Sequence, residues 1–131
     1  MPLRGELWWA DFDPVVGAEL GKKIRPVLVV SDDQMNRSVL RKVIVVPSTS
    51  SERELGARVP FPHLVRGQVR RSFLCCEDVR SISLSRLRGH LGGPTGRAPR
   101  VSASVLAQVE QALCRVLALP MPPPRGAIPG R

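Results

Sequence analysis

RPVLVVSDDQMNRSVLRKVIVVPSTS, residues 25–50, holds two uninterrupted β-branched runs, PVLVV at 26–30 and VIVV at 43–46. Runs of four or five apolar residues without alternation suit strands covered on both faces. The polar segment 31–40 between them has room for a single helical turn capped by Ser31 or Asp32. The second run is expected to stop at Pro47 and the hydroxyl cluster Ser48, Thr49, Ser50 and Ser51.

Outward from this pair the pattern stays β until the last third. ELWWA at 6–10 reads as an opening strand closed by Asp11 and the Asp13-Pro14 pair. Residues 15–23, with Gly17 and Gly21, have no period and read as a loop. VPFP at 59–62 is extended, because each proline drives its predecessor out of the α region. SFLCC at 72–76 is a further strand, and the Gly-, Pro- and Arg-rich residues 89–100 read as a mobile link. Residues 102–119 change period: Val105, Leu106, Val109, Ala112, Leu113, Val116 and Leu117 recur at helical spacing, Ser102 or Ser104 can cap them, and Pro120 ends them. The expected class is mainly β with a C-terminal helix. Residues 1–119 form one domain, and 120–131, PMPPPRGAIPGR, form a proline-rich disordered tail.

Composition narrows the function classes. No apolar run approaches the ~20 residues of a membrane span, and the N-terminal residues MPLRGELWWADFD lack the apolar core of a signal peptide. Three cysteines with no secretory signal read as reduced thiols, so a cytoplasmic protein is expected, with no membrane association. The net charge is +9, and it is uneven: residues 1–65 carry nine basic and eight acidic groups, residues 66–131 eleven and three. Such a surplus draws nucleic acid or an acidic protein, or serves only to keep the chain soluble with no specific partner. There is no glycine-rich phosphate loop, no CxxC pair and no HExxH, and His63 and His90 are too few for a zinc site. Cys75 and Cys76, adjacent in a strand, point to opposite faces, and Cys75 and Cys114 read as small core residues. No metal and no cofactor is therefore expected.

What remains is polar residues beside buried strands. Arg25 precedes the first run, so its backbone is anchored and its fork of donors can meet a phosphate. Thr49 follows the second run in the same manner, and Glu19 lies in the loop upstream of Arg25. On the residues alone the simpler reading is that Glu19 pairs with Arg25 and Thr49 closes a hydroxyl-capped turn. Trp8, Trp9 and Phe61 are candidate stacking faces, though adjacent strand tryptophans point opposite ways and at least one is expected in the core.

The order of these pieces resembles the MazF/PemK family of toxin endoribonucleases. GELWWADFDPVVGAELGKKIRPVLVVSDD at 5–33, VIVVPSTS at 43–50 and SFLCCEDVRSISLSRL at 72–87 carry the resemblance. It implies a small SH3-like β-barrel of PemK/CcdB type that forms a homodimer. It implies metal-independent, sequence-specific cutting of single-stranded RNA (mRNA), and an acidic MazE-like antitoxin as partner. It places the catalytic residues at Arg25, Thr49 and Glu19, with RNA contacts at Lys22, Lys23, Ser48, Ser50, Glu77 and Arg80. The chain departs from the family at Lys22 and Lys23, where glycines are frequent, at Ser48, where a larger residue is common, and at Glu77-Asp78, where Gln often follows the acid. Two other readings fit the same sequence: a gyrase-poisoning toxin of CcdB type, and a non-enzymatic SH3-like nucleic-acid-binding module.

Overall fold

A computed structural model describes residues 1–12, 24–51, 57–65 and 67–121. The strands are β1 (Leu7–Asp11), β2 (Ile24–Val29), β3 (Lys42–Thr49), β4 (Arg58–Val65), β5 (Gln68–Cys75), β6 (Arg80–Ser83) and β7 (Leu87–His90). The helices are α1 (Asp33–Asn36) and α2 (Ala103–Leu117). All pairings are antiparallel, in the order β4-β5-β3-β2-β1-β7 with β6 on β3.

β3 is the hinge of the architecture. One edge pairs with β2; the other pairs first with β6 over residues 42–45 and then with β5 at Ser48 and Thr49. Pro47 lies between those two ladders, where that edge has no pairing partner among the described residues, so its missing N–H breaks no ladder. The strand therefore runs through the proline and ends at Thr49 instead of stopping at 46 as the sequence suggested. Pro60 and Pro62 are placed by the same logic. Their nitrogens face one edge of β4, and among the described residues β4 has a partner, β5, on one side only.

Because β6 sits at the β3 edge and β7 at the β1 edge, the chain from Arg80 to His90 crosses from one side of the sheet to the other through the 3₁₀ turn Leu84–Arg86. It wraps a core of Ala10, Phe12, Val27, Val29, Val43, Val45 and Ile82. The expected small barrel is thus realised loosely: it is closed by the chain, with no ladder between β6 and β7 among the described residues. The outer face of the same strands carries the second core. Leu7, Leu28, Val46, Val59, Phe61 and Leu74 lie there under Val109 and Ala112 of α2. The helix begins where Ser102 accepts the Val105 N–H at 3.1 Å and ends at Ala118 in the left-handed region, φ 55°. Arg4 ties the N-terminus to both helices, donating to the Val30 carbonyl and to Glu110 at 2.8 Å while its own N–H meets Asp33 at 2.7 Å.

Two expectations need correction. Residues 89–100 are not a loose link: Gly89 and His90 belong to β7, and the Leu7 N–H bonds to the Pro99 carbonyl and the Val101 N–H to the Gly5 carbonyl. Backbone pairing with β1 at both ends overrides the Gly/Pro composition. Neither tryptophan is fully buried. Trp8 packs against the barrel interior and meets His90 edge-on at 5.6 Å, and Trp9 is half-buried.

Candidate active site at the barrel mouth

Arg25 starts β2 and Thr49 ends β3, and the ladder between the strands decides how they meet. It pairs Val29 with Val45, Leu28 with Val46 and Val27 with Pro47. Carried on by two residues, the same register sets Arg25 across from Thr49 with both side chains on the barrel-interior face. The Arg25 Nη1 donates to the Ser48 carbonyl at 2.7 Å, which is the reach this register requires. Thr49 is in turn paired with Phe73, and Arg58 with Cys75. Alternation then collects Arg25, Thr49, Phe73, Cys75 and Arg58 on one face, at the mouth where the β4–β5 ladder leaves the barrel.

The site is electrostatically dense. Arg25 is only 5% exposed. Burial lowers its pKa from the ordinary arginine value, while nearby Cys75 and Asp78 act in the opposite direction. A guanidinium so perturbed stays charged. The Cys75 thiol is pushed up to about 11 by burial and the Cys76 thiol to about 12, so both are protonated and inert near neutral pH. Asp78 is raised by burial and by Glu77, against the pull of Arg58, Arg25 and Arg80. Cys75, Glu77 and Asp78 bring donor atoms within 4.8 Å of one another. Glu77 of this set is engaged by Arg58 at 3.2 Å, so it already serves to anchor an arginine.

Thr49 sits in a stitched turn. Its Oγ1 accepts the Ser51 N–H at 3.2 Å, as the hydroxyl-capped-turn reading requires, and its own O–H remains a donor. The Ser51 carbonyl accepts from Arg58 at 3.3 Å, and Arg58 also holds Glu77. One side chain thereby links the turn after β3 to the 3₁₀ turn Cys76–Asp78 after β5.

Of the residues expected from sequence, the structure brings together Arg25, Thr49, Glu77 and Arg80; Arg80 lies 5.2 Å over the Phe12 ring at the barrel mouth. Ser50 is exposed beside Thr49. Ser48 is turned away: alternation buries it on the helix side at 2% exposure, and its hydroxyl donates to the Pro26 carbonyl at 2.7 Å. Only its backbone carbonyl faces Arg25, so its side chain is a correction to the expected RNA contacts. Glu19, Lys22 and Lys23 lie outside the described residues. Arg58 and Phe73 were not foreseen, and Asp78 was singled out only as a departure from the family pattern. The signal was available only in the pairing of the VPFP segment with SFLCC, which sets Arg58 beside Cys75.

A family model described as PemK-like, MazF-like toxin of type II toxin–antitoxin system matches residues 3–117. The chain is 36% identical over 121 residues to the endoribonuclease MazF9 of Mycobacterium tuberculosis, covering 86% of this chain and 93% of that protein. Its fold is similar to the crystal structure of MazF from Deinococcus radiodurans, with a TM-score of 0.71, 27% identity and coverage of 90% and 97% of the two chains. A MazE–MazF crystal structure from the same organism matches with a TM-score of 0.65 at 26% identity, covering 91% of this chain and 97% of that one. Among the described residues no helix is long and apolar enough to cross a membrane.

Proposed function

The chain belongs to the family of PemK-like, MazF-like toxins of type II toxin–antitoxin systems, and on that premise we propose that it is a toxin endoribonuclease that cuts single-stranded mRNA at a short sequence without a metal ion. The placement of Arg25 opposite Thr49 at an open barrel mouth carries the reading. A non-enzymatic module needs no buried cation across the ladder from a hydroxyl residue, and the family match does not favour the gyrase-poisoning alternative.

RNA supplies its own nucleophile. The 2′-oxygen attacks the adjacent phosphorus, the new P–O2′ bond forms, and the P–O5′ bond breaks. A 2′,3′-cyclic phosphate and a 5′-hydroxyl result, and the proton lost from the 2′-oxygen is balanced by one gained at the 5′-oxygen. Such a reaction needs positioning and charge stabilisation more than an activated external group. Arg25 neutralises charge building on the phosphorane, and Thr49 donates to a phosphate oxygen. Glu19 serves as base or as a nucleobase contact. Glu77, Arg80, Ser50, Lys22 and Lys23 are the surrounding contacts. Unstacked bases are the ones a protein can read, so a single strand is the substrate.

The protein acts as a homodimer in the cytoplasm, where three reduced cysteines and an mRNA substrate are at home. An acidic MazE-like antitoxin is its inhibitor, by analogy with the MazE–MazF structure. The test is incubation of the pure protein with mixed single-stranded RNA in EDTA. Discrete fragments bearing 5′-hydroxyl ends are expected. An intact but retarded RNA band would identify a binding module instead.

A further inference from the structure

The β4–β5 hairpin extends from the end of β3 as a flange, and its two faces differ. On the helix side Val59, Phe61, Ser72 and Leu74 are buried. On the site side Pro60 and Phe73 are half-buried, and Pro62, Arg71 and Val69 are exposed, Val69 at 72%. The register is continuous: Thr49 pairs with Phe73, Phe73 with Pro60, and Arg71 with Pro62. A row therefore runs from Arg25 through Thr49 to the Phe73 ring. Two residues further along β5, on the same face and about 7 Å away, stands Arg71. That is on the scale of one nucleotide step along an extended strand.

Composition favours a polyanion here. Residues 55–76 contain no acidic side chain, and of the arginines there Arg71, paired with Pro62, lies on the site face, as does Arg58, which holds Glu77, while Arg70, paired with His63, lies on the other face. An aromatic ring with a cation beside it, on an apolar ledge, is the arrangement that binds single strands by stacking a base and holding the neighbouring phosphate.

Resting on the endoribonuclease reading above, we infer that the site face of the β4–β5 hairpin is a flanking-nucleotide subsite, in which Phe73 stacks the base next to the scissile step and Arg71 holds the following phosphate. Neither residue takes part in bond making. Phe73 and Arg71 set how much RNA beyond the cut is bound, and so the length and context that the enzyme demands.

The test uses the full-length wild type, Arg71→Ala, Arg71→Lys and Phe73→Leu, with a set of RNAs carrying one cleavable step and extended one nucleotide at a time on either side. For wild type kcat/KM should rise as one side is extended and then level off. Arg71→Ala should abolish that rise, leave the shortest cleaved RNA unaffected, and lower the slope of log KM against log salt by about 0.7. Arg71→Lys should restore most of the rise. Phe73→Leu should cost between about 5- and 150-fold on extended RNA, the range for loss of one stacked base. Wild-type cleavage with no length dependence, or variants equal to wild type on every RNA, would overturn the subsite and leave the nuclease reading standing. No cleavage by wild type would instead sink that reading. Variants that shift the sedimentation of the protein without changing length dependence would assign this face to contact between copies of the chain.

Discussion

Replacing Arg25 by Met separates what the guanidinium does for the fold from what it does for the reaction. Methionine keeps an unbranched apolar stem but removes the charge and all five donors. On the folding side two terms oppose. The Ser48 carbonyl loses a charged donor at 2.7 Å, a bond of about 1.5–3 kcal/mol. Against this, a guanidinium 5% exposed no longer has to be held out of water, an effective cost of several kcal/mol before its partners are counted, roughly 3. The terms nearly cancel, so stability should change by no more than about 1 kcal/mol, or roughly 3–5 °C in melting midpoint for a domain of this size. The reaction has no such compensation. Losing a cation aimed at a phosphoryl transition state costs on the order of 10³-fold or more. Single-turnover cleavage of one labelled RNA, with a melt on the same sample, reads both. A variant that melts more than about 10 °C lower makes Arg25 a structural residue. A variant that folds and still cuts within about tenfold of wild type removes Arg25 from the chemistry.

Arg58→Ala should cut kcat several-fold while lowering stability by about 1 kcal/mol, because Glu77 is partly solvated and its ion pair is discounted accordingly; a loss confined to stability would mean that the stitched turn does not position Thr49. His63 has its pKa held below the ordinary 6.5 by burial and by Arg70, so the unfolded chain takes up the proton first as pH falls. The stability His63 contributes is complete above about 6.5 and is lost as pH drops from there toward the folded value, so urea midpoints at pH 7.5 and 5.5 should differ less in His63→Gln than in wild type. Truncation after Leu119, which is itself 54% exposed, should leave the melting midpoint nearly unchanged; a large drop would show that the tail docks. The antitoxin, supplied as the neighbouring gene's product, should compete with uncleavable RNA and weaken with salt; inhibition that leaves RNA bound would point to an allosteric block.

How much of this was legible in the sequence depends on whether the feature is local. The runs at 26–30 and 43–46, the helical period after Ser102 and the neighbouring positions of Arg25 and Thr49 are written in adjacent residues, and each run lies in an element of the expected kind, although β3 continues past Pro47 to Thr49. β6 and β7 were missed because four-residue strands such as RSIS and LRGH carry too little apolar signal, and what makes them strands is pairing with β3 and β1. The same limit decides the site. Ser48 and Thr49 look equivalent in a hydroxyl cluster, yet a one-residue step sends Ser48 under the helix and Thr49 to the barrel mouth. Phe73 and Leu74 are separated in the same way. A face is a property of the register, and register is fixed by partners far away in the chain. Arg58, twenty residues or so from the turn it holds together at Glu77, illustrates the consequence. Its role exists only once β4 lies on β5, so local pattern could locate Arg25 and Thr49 but not the residues that hold them.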